Sequence, residues 1–111
     1  MIQSSSVFDA TDDNFDTEVL EKSRGVLVVA DFWAAWCGPC RALAPVVDEV
    51  ASSYNGRVKV GKMDVDKNVT PQRYGVRGIP TLLIFKGGQV KDQIVGYVDK
   101  SVIEKALDKQ L

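Results

Sequence analysis

The chain has 111 residues, of which 45% are hydrophobic and 26% charged, and a net charge of −1 at pH 7. This length and composition predict a single globular domain over residues 1–111. A nearly neutral chain gives no electrostatic reason to expect nucleic acid or an anionic membrane as a partner. No apolar run in the sequence is long enough to cross a bilayer. We expect a monomer.

The first residues, 1–6, carry neither the positive charge nor the apolar run of a secretory signal peptide. Their composition therefore favours a cytoplasmic location. An organelle is the alternative if a targeting segment has been removed.

The first part of the chain predicts a strand, a helix and a second strand. Residues 5–9 predict a short edge strand, and Thr11 predicts the N-cap of a helix that ends near residues 23–25. The continuous apolar run that ends in Asp31 and Phe32 predicts a central strand over residues 26–32, buried on both faces.

A long amphipathic helix is predicted to begin at the two cysteines and to end at Asn55-Gly56. Pro45 lies inside this pattern and predicts a kink. The apolar residues that recur at helical spacing are Leu43, Val46, Val47, Val50, Ala51 and Tyr54.

The second half predicts three more strands. Residues 58–65 and 81–85 are apolar strands, and a short polar helix over residues 69–74 separates them. Gly87-Gly88 predicts a hairpin turn before a more polar edge strand over residues 89–95.

Ser101 and Glu104 predict a capping box for a last helix. Its predicted buried residues are Ile103, Ala106, Leu107 and Leu111. The whole order is β-α-β-α-β-α-β-β-α, which predicts an α/β fold with a mixed five-stranded sheet and helices on both faces. The functional site should lie at the carboxyl end of the 26–32 strand.

Cys37 and Cys40 are the only cysteines in the chain, and the segment around them reads Trp36-Cys37-Gly38-Pro39-Cys40. A zinc site needs about four ligands, yet the chain has no His and no second cysteine pair. A structural disulfide across so short a loop would stabilise the fold by only about 2 kcal/mol. A dithiol that cycles to a disulfide therefore explains the pair best.

The two sulfurs should differ in reactivity and in exposure. A helix N-terminus lowers the pKa of a thiol, so Cys37 is predicted to be the exposed nucleophile at the start of the helix. Cys40, one turn further, is predicted to be the shielded resolving thiol. Gly38 and Pro39 suit a first helical turn and offer no charge to hold the thiolate, which favours a reductant over an oxidant.

Asp31 interrupts the apolar strand, and a buried carboxylate should have a raised pKa. It is predicted to lie beneath Cys40 and to accept the proton of that thiol; the alternative is a strand-end Asp that faces water. Lys62 is either its snorkelling partner or a solvated strand lysine.

Several residues around the cysteines have two interpretations. Trp33 is expected to pack against the site and Trp36 to form an exposed contact surface, although either ring suits a core. Few X–Pro bonds are cis, so the residues alone predict a trans bond before Pro80. Gly78 and Gly96 mark either close backbone approach or turns.

Residues 31–40, which read DFWAAWCGPC, resemble the active site of the thioredoxin family. Pro45, Lys62, residues 74–81 and Gly96 match the same family, so the resemblance covers nearly the whole chain. The WCGPC core is typical of thioredoxins proper; disulfide isomerase domains usually carry a His between the cysteines.

The resemblance implies a thioredoxin fold, with a mixed five-stranded sheet flanked by four helices, and reduction of protein disulfides by thiol–disulfide exchange. It implies that Cys37 attacks and Cys40 resolves. Asp31 would be the buried proton acceptor and Lys62 its neighbour. Pro80 matches the cis proline of the family, in place of the trans bond.

The resemblance also implies the partners: thioredoxin reductase as electron source and disulfide-containing proteins as substrates, with no bound cofactor or metal. The Ile79 backbone would pair with a substrate strand. The implied apolar docking surface consists of Trp36, Gly38, Pro39, Ile79, Pro80 and Gly96. Tyr97 departs from the smaller residue that is common in the family, and Gly87-Gly88 departs from its more usual Asn-Gly type of turn.

Two other classes of function are open. One is a thiol oxidase or isomerase, against which Gly38-Pro39 and the absence of a signal peptide argue. The other is a binding subunit that uses the docking surface without redox turnover, although an intact dithiol makes a purely non-redox role a poor explanation.

Overall fold

We describe residues 6–111 of a computed structural model of the protein. The strands are β1 (Val7–Asp9), β2 (Leu27–Trp33), β3 (Val58–Asp64), β4 (Thr81–Lys86) and β5 (Gln89–Val95). The α-helices are α1 (Gly38–Ser53), α2 (Thr70–Arg73) and α3 (Lys100–Gln110), and a π-helix, Asp16–Glu21, runs into a 3-10 helix, Lys22–Arg24. Within the described range, no helix is long and apolar enough to cross a membrane.

The strands form one mixed sheet in the order β1-β3-β2-β4-β5. β2 pairs in parallel with β3, and β3 pairs in parallel with β1. β4 runs antiparallel to both β2 and β5. The predicted mixed sheet, the central position of β2 and the two edge strands are therefore confirmed.

Helices cover both faces of the sheet, as predicted. Alternate residues of β2 point to opposite faces, so Leu27 and Val29 pack with α1 and α3, whereas Val28 and Ala30 pack on the other face with Phe15. By the same alternation, the side chain of Asp31 lies on the α1 face. This places a carboxylate under the helix that carries the cysteines.

The first helix differs from its prediction. Thr11 Oγ1 accepts a hydrogen bond from the Asn14 amide at 3.3 Å, but regular helix begins only at Asp16. The Asn14 side chain accepts from the Thr11 amide at 2.8 Å and donates to the Asp9 carbonyl at 2.9 Å. These local bonds hold a turn in place of the predicted first helical turn.

The predicted capping box of the last helix is wrong. Asp99 is the N-cap of α3, and Ser101 already lies inside the helix. The Glu104 carboxylate lies 3.8 Å from Lys100 Nζ, which also contacts Glu49 on α1 at 2.8 Å. Glu104 therefore interacts with the Lys100 side chain, four residues before it.

The other boundaries agree with the predictions to within one or two residues, and residue 5 of the predicted first strand lies outside the described residues. Gly87 and Gly88 form the predicted hairpin turn with positive φ angles of 63° and 81°. Leu111 is 52% exposed, so its predicted burial is wrong. The reason is that α3 ends at Gln110, one residue earlier.

Candidate active site

The two cysteines lie at the junction of β2 and α1 and form a disulfide, with their Cα atoms 5.2 Å apart. Cys37 is the N-cap of α1, and Pro39 falls in the first turn, where its missing N–H leaves no bond unmade. The Cys40 amide donates to Cys37 Sγ at 3.1 Å. The helix N-terminus therefore supplies a hydrogen-bond donor and a partial positive charge at this sulfur.

Cys37 is 4% exposed and Cys40 is 6% exposed. The prediction that Cys37 is exposed is therefore wrong for the disulfide form. Cys37 belongs to a small apolar cluster, against which Ile79 packs, and its Sγ lies 3.8 Å from the Ile79 carbonyl oxygen. The two sulfurs differ in their position on the helix rather than in their burial.

The segment before β4 lies directly against the disulfide. The peptide bond between Ile79 and Pro80 is cis, so the trans bond predicted from frequencies is wrong and the bond implied by the resemblance is confirmed. The Gly96 amide donates to the Pro80 carbonyl at 2.8 Å. Gly96 has a φ of 90°, a conformation that glycine adopts without strain.

The surface around the disulfide contains most of the residues that the resemblance implies. Trp36 is 68% exposed, and Gly38 and Pro39 are exposed beside it. Ile79 and Gly96 are half-buried, whereas Pro80 is buried and contributes little to the surface. Trp33, by contrast, is half-buried and packs on the cysteine cluster, as expected.

Asp31 is 3% exposed, so the interpretation as a water-facing carboxylate is wrong. It lines a cavity of about 390 Å³ together with Trp33, Cys40 and Lys62. Its Oδ1 atom has no hydrogen-bond partner among residues 6–111. Burial raises the pKa of Asp31 to about 6; the Lys62 charge opposes this and the Asp48 charge adds to it.

Lys62 stands opposite Asp31 in the register of β2 and β3 and lines the same cavity. Its side chain is half-buried, which agrees with a snorkelling lysine rather than a fully solvated one. Among residues 6–111, the ion pairs are Lys100–Glu49 and Lys100–Glu104, so Lys62 acts on Asp31 without a direct salt bridge.

Residues 6–109 match the family model described as Thioredoxin. The chain belongs to the thioredoxin family. It is 50% identical to "Thioredoxin 2" of Chlorobaculum tepidum, over 97% of this chain and 98% of that protein. It is 52% identical to "Thioredoxin 1" of Nostoc sp., over 96% of this chain and 99% of that protein. It is 55% identical to "Thioredoxin 1" of Synechococcus elongatus, over 91% of this chain and 94% of that protein.

Membership in the thioredoxin family agrees with the geometry of the cysteine pair. The protein is a protein-disulfide oxidoreductase that works by thiol–disulfide exchange through Cys37 and Cys40. Thioredoxins act without a bound cofactor, so the redox couple is the cysteine pair itself. In the range 6–111, no group of His, Cys, Asp and Glu residues is arranged to hold a metal ion.

Two contacts of the segment around the disulfide were not predicted from the sequence. The Trp36 indole Nε1 donates to the Asp66 carboxylate at 2.8 Å, and Arg41 Nη1 donates to the Ala35 carbonyl at 2.8 Å. Asp66 is 30 positions from Trp36 in the chain, so no local pattern points to it.

Proposed function

We propose that this thioredoxin reduces disulfides of other proteins, with Cys37 as the attacking thiol and Cys40 as the resolving thiol. The observation that carries the proposal is the hydrogen bond from the Cys40 amide to Cys37 Sγ, at the N-terminus of α1. Such a donor stabilises a thiolate at Cys37 more than a neutral thiol.

The exchange proceeds in two substitutions. The Cys37 thiolate attacks one sulfur of the substrate disulfide, forms a mixed disulfide and releases the other sulfur as a thiolate. The Cys40 thiolate then attacks Cys37 Sγ and displaces the second substrate thiolate. The substrate gains two electrons, and this protein is left with the Cys37–Cys40 disulfide.

We assign to Asp31 the removal of the Cys40 proton before the second substitution. Its burial, its raised pKa and its place in the cavity that Cys40 also lines support this assignment. A carboxylate whose pKa lies near neutral pH is a better general base than an ordinary Asp. Lys62 would favour the ionised state of Asp31, because its charge lowers the pKa.

We assign the binding of the substrate chain to the apolar docking surface. Trp36, Gly38 and Pro39 are exposed next to the cysteines in the chain, and Ile79 packs against Cys37. Gly96 is joined to this segment by its hydrogen bond to the Pro80 carbonyl. The Ile79 backbone lies beside Cys37 and would pair with an extended substrate segment. The apolar side chains of the docking surface would exclude water from the reacting sulfurs.

The proposed electron source is the one that the resemblance to thioredoxins implies, and the proposed location and oligomeric state are those expected from the sequence. The oxidised protein would be reduced again by a thioredoxin reductase. The proposed location is the cytoplasm, and the proposed state is a monomer of one domain over residues 1–111.

Reduction of insulin disulfides, coupled to a thioredoxin reductase and NADPH, tests the function. We expect the wild type to be active and Cys37→Ser to be inactive. Cys40→Ser should trap a mixed disulfide that Cys37→Ser does not form, which assigns the two roles. Equal trapping by both variants would contradict the assignment.

The reduction potential of the Cys37–Cys40 pair separates the classes of function. Equilibration with glutathione buffers, followed by Trp33 and Trp36 fluorescence, should give a value well below that of the glutathione pool. A value near that pool would favour an oxidase or isomerase. A cellular function that survives Cys37→Ser and Cys40→Ser would favour a binding subunit.

A further inference from the structure

The indole of Trp36 makes a side-chain hydrogen bond to the loop after β3. Trp36 is 68% exposed, so packing restrains its side chain little. Its Nε1 atom donates to Asp66 Oδ2 at 2.8 Å. Because Trp36 is adjacent to Cys37, this bond restrains an exposed aromatic ring next to the reacting sulfur.

Asp66 belongs to a turn that is ordered by its own side chains. The Asp66 amide donates to Asp64 Oδ1 at 2.9 Å, and the Lys67 amide donates to the Asp64 carbonyl at 3.2 Å. The Asn68 side chain donates to the same carbonyl at 2.9 Å. Residues 64–68, which begin at the last residue of β3, therefore form a turn that holds the Asp66 carboxylate in place.

Asp12 forms hydrogen bonds with the last residue of this turn and with the two residues that follow it. Its carboxylate accepts hydrogen bonds from the Val69 amide at 3.0 Å, the Thr70 amide at 2.9 Å and Thr70 Oγ1 at 2.6 Å. The Asp12 amide in turn donates to Asn68 Oδ1 at 2.8 Å. The Thr70 hydroxyl, followed by the Val69 amide, lowers the pKa of Asp12, so its carboxylate is charged at neutral pH.

We propose that Asp66 is a positioning residue, which orients Trp36 on the docking surface and thereby favours protein disulfides over small ones. Asp12 acts one step further away, since it holds the turn that carries Asp66. This inference rests on the proposed function, because it requires that substrates dock on the surface around Trp36.

The physical reason is the entropy of the ring. A free Trp36 has to be ordered each time a protein substrate binds, whereas a ring already held by Asp66 does not. A small disulfide reaches the sulfurs without covering the ring. Loss of the hydrogen bond should therefore weaken the binding of proteins and leave the exchange chemistry intact.

The test compares Asp66→Ala and Asp66→Asn with two substrates, insulin and the neutral small molecule 2-hydroxyethyl disulfide. Asp66→Ala should raise KM for insulin about fivefold, the effect of one interface side chain that must be ordered, with kcat unchanged. Its rate with 2-hydroxyethyl disulfide should equal that of the wild type. Asp66→Asn should stay near the wild type with both substrates, because the amide oxygen also accepts from the indole N–H.

Three kinetic outcomes would overturn the inference. The first is an unchanged KM for insulin in Asp66→Ala. The second is an equal loss of activity of Asp66→Ala with insulin and with 2-hydroxyethyl disulfide. The third is a rise in KM for insulin in Asp66→Asn as large as that in Asp66→Ala. The last outcome would mean that the charge of Asp66 acts, not its hydrogen bond. A merely structural role would reduce both activities together and would not show the split in KM.

Trp36→Ala separates a failure of this inference from a failure of the docking surface. If Trp36→Ala raises KM for insulin and Asp66→Ala does not, the positioning role is wrong and the docking surface stands. If Trp36→Ala has no effect, both are wrong. In the double variant, Asp66→Ala should add nothing to Trp36→Ala, because both changes act through one ring.

The motion of the ring is measured directly by the heteronuclear NOE of the Trp36 indole N–H, with the Trp33 indole as internal reference. The NOE should fall in Asp66→Ala and be preserved in Asp66→Asn. Asp12→Ala should lower it in the same direction; Thr70→Val, which removes one of the Asp12 contacts, serves if Asp12→Ala does not fold. An unchanged NOE in Asp66→Ala would overturn the inference.

Discussion

Asp31 and Lys62 are register partners on β2 and β3 and line one cavity behind Cys40, but they form no direct ion pair. Burial disfavours the charged form of the Asp31 carboxylate, and its pKa rises to about 6. The Lys62 charge opposes the rise without cancelling it. This relationship makes the stability and the chemistry of the site depend on pH.

The first prediction concerns the stability of the oxidised protein. Asp31 has an ordinary pKa of 3.8 when unfolded and about 6 when folded. Above pH 6 the folded state has to bury the charge, a cost of about 3 kcal/mol from the two pKa values. Below pH 3.8 both states are protonated and the cost disappears. Wild-type stability should therefore fall, relative to Asp31→Asn, as the pH rises from about 4 to about 6.

Urea unfolding of the wild type and Asp31→Asn at several pH values measures this difference. Asp31→Asn should be the more stable protein at pH 7, by up to about 3 kcal/mol. The two proteins should have similar free energies of unfolding near pH 4. Parallel curves across the whole range would show that Asp31 does not carry the pH dependence.

The second prediction concerns the rate of the second substitution. If Asp31 accepts the Cys40 proton, Asp31→Asn should slow the resolution of a mixed disulfide about 100-fold at pH 7, the lower end of the range for general-base catalysis. The deficit should shrink near pH 9, where a free cysteine with a pKa of about 8.5 ionises by itself. Stopped-flow fluorescence follows this step, and a deficit that is constant with pH would contradict the role.

The third prediction concerns Lys62. Lys62→Met removes the charge that lowers the pKa of Asp31, so the titration midpoint of Asp31 should move above about 6. Carbon NMR of the Asp31 carboxyl group measures the midpoint. Lys59→Met is the matched control, because Lys59 lies on the same strand but stands over the Phe8 ring, 5.8 Å from its centroid. Equal shifts in both variants would show that the effect of Lys62 is not specific.

The fourth prediction concerns the close contact between β1 and β3. A Cβ atom on Gly61 would lie 2.6 Å from Phe8 Cζ and 3.2 Å from Ala10 Cβ. Gly61→Ala should therefore lower the free energy of unfolding by about 1–3 kcal/mol, as in other overpacked sites. Urea unfolding checks the value.

Two comparisons test the cause of that loss. Gly25→Ala, where a Cβ would meet no atom of the described residues within 4 Å, should change stability little. Gly61→Ala in a Phe8→Ala background should cost less than it does alone, because the ring that obstructs it is gone. Additive effects of Gly61→Ala and Phe8→Ala would mean that the clash with the ring is not the cause.

Local patterns in the sequence predicted most of the architecture. The apolar runs predicted β2, β3 and β4, and the helical spacing of Leu43, Val47 and Val50 predicted the buried face of α1. The cysteine pair, its place at a helix start and its redox character were also predicted. These features depend on residues that are close in the chain, so their physical causes are readable from a short window.

Local sequence patterns predicted the wrong structure where two interactions compete. The side chain of Asn14 stabilises a turn where a helix was predicted. The Glu104 carboxylate, which a capping box would use, interacts instead with Lys100. Both the predicted and the observed arrangements satisfy local rules. Only their relative energies in the folded protein decide between them.

The order of elements, the redox dithiol and the family could all be predicted from the sequence alone. Three relationships depend on the tertiary structure: the packing of Ile79 against Cys37, the alignment of Asp31 with Lys62, and the hydrogen bond that Trp36 donates to Asp66. Each of these relationships joins residues that are distant in the chain. Their contacts arise only when the strands pair and the loops close over them, because the desolvation and hydrogen bonding that govern the site do not exist in the separate segments.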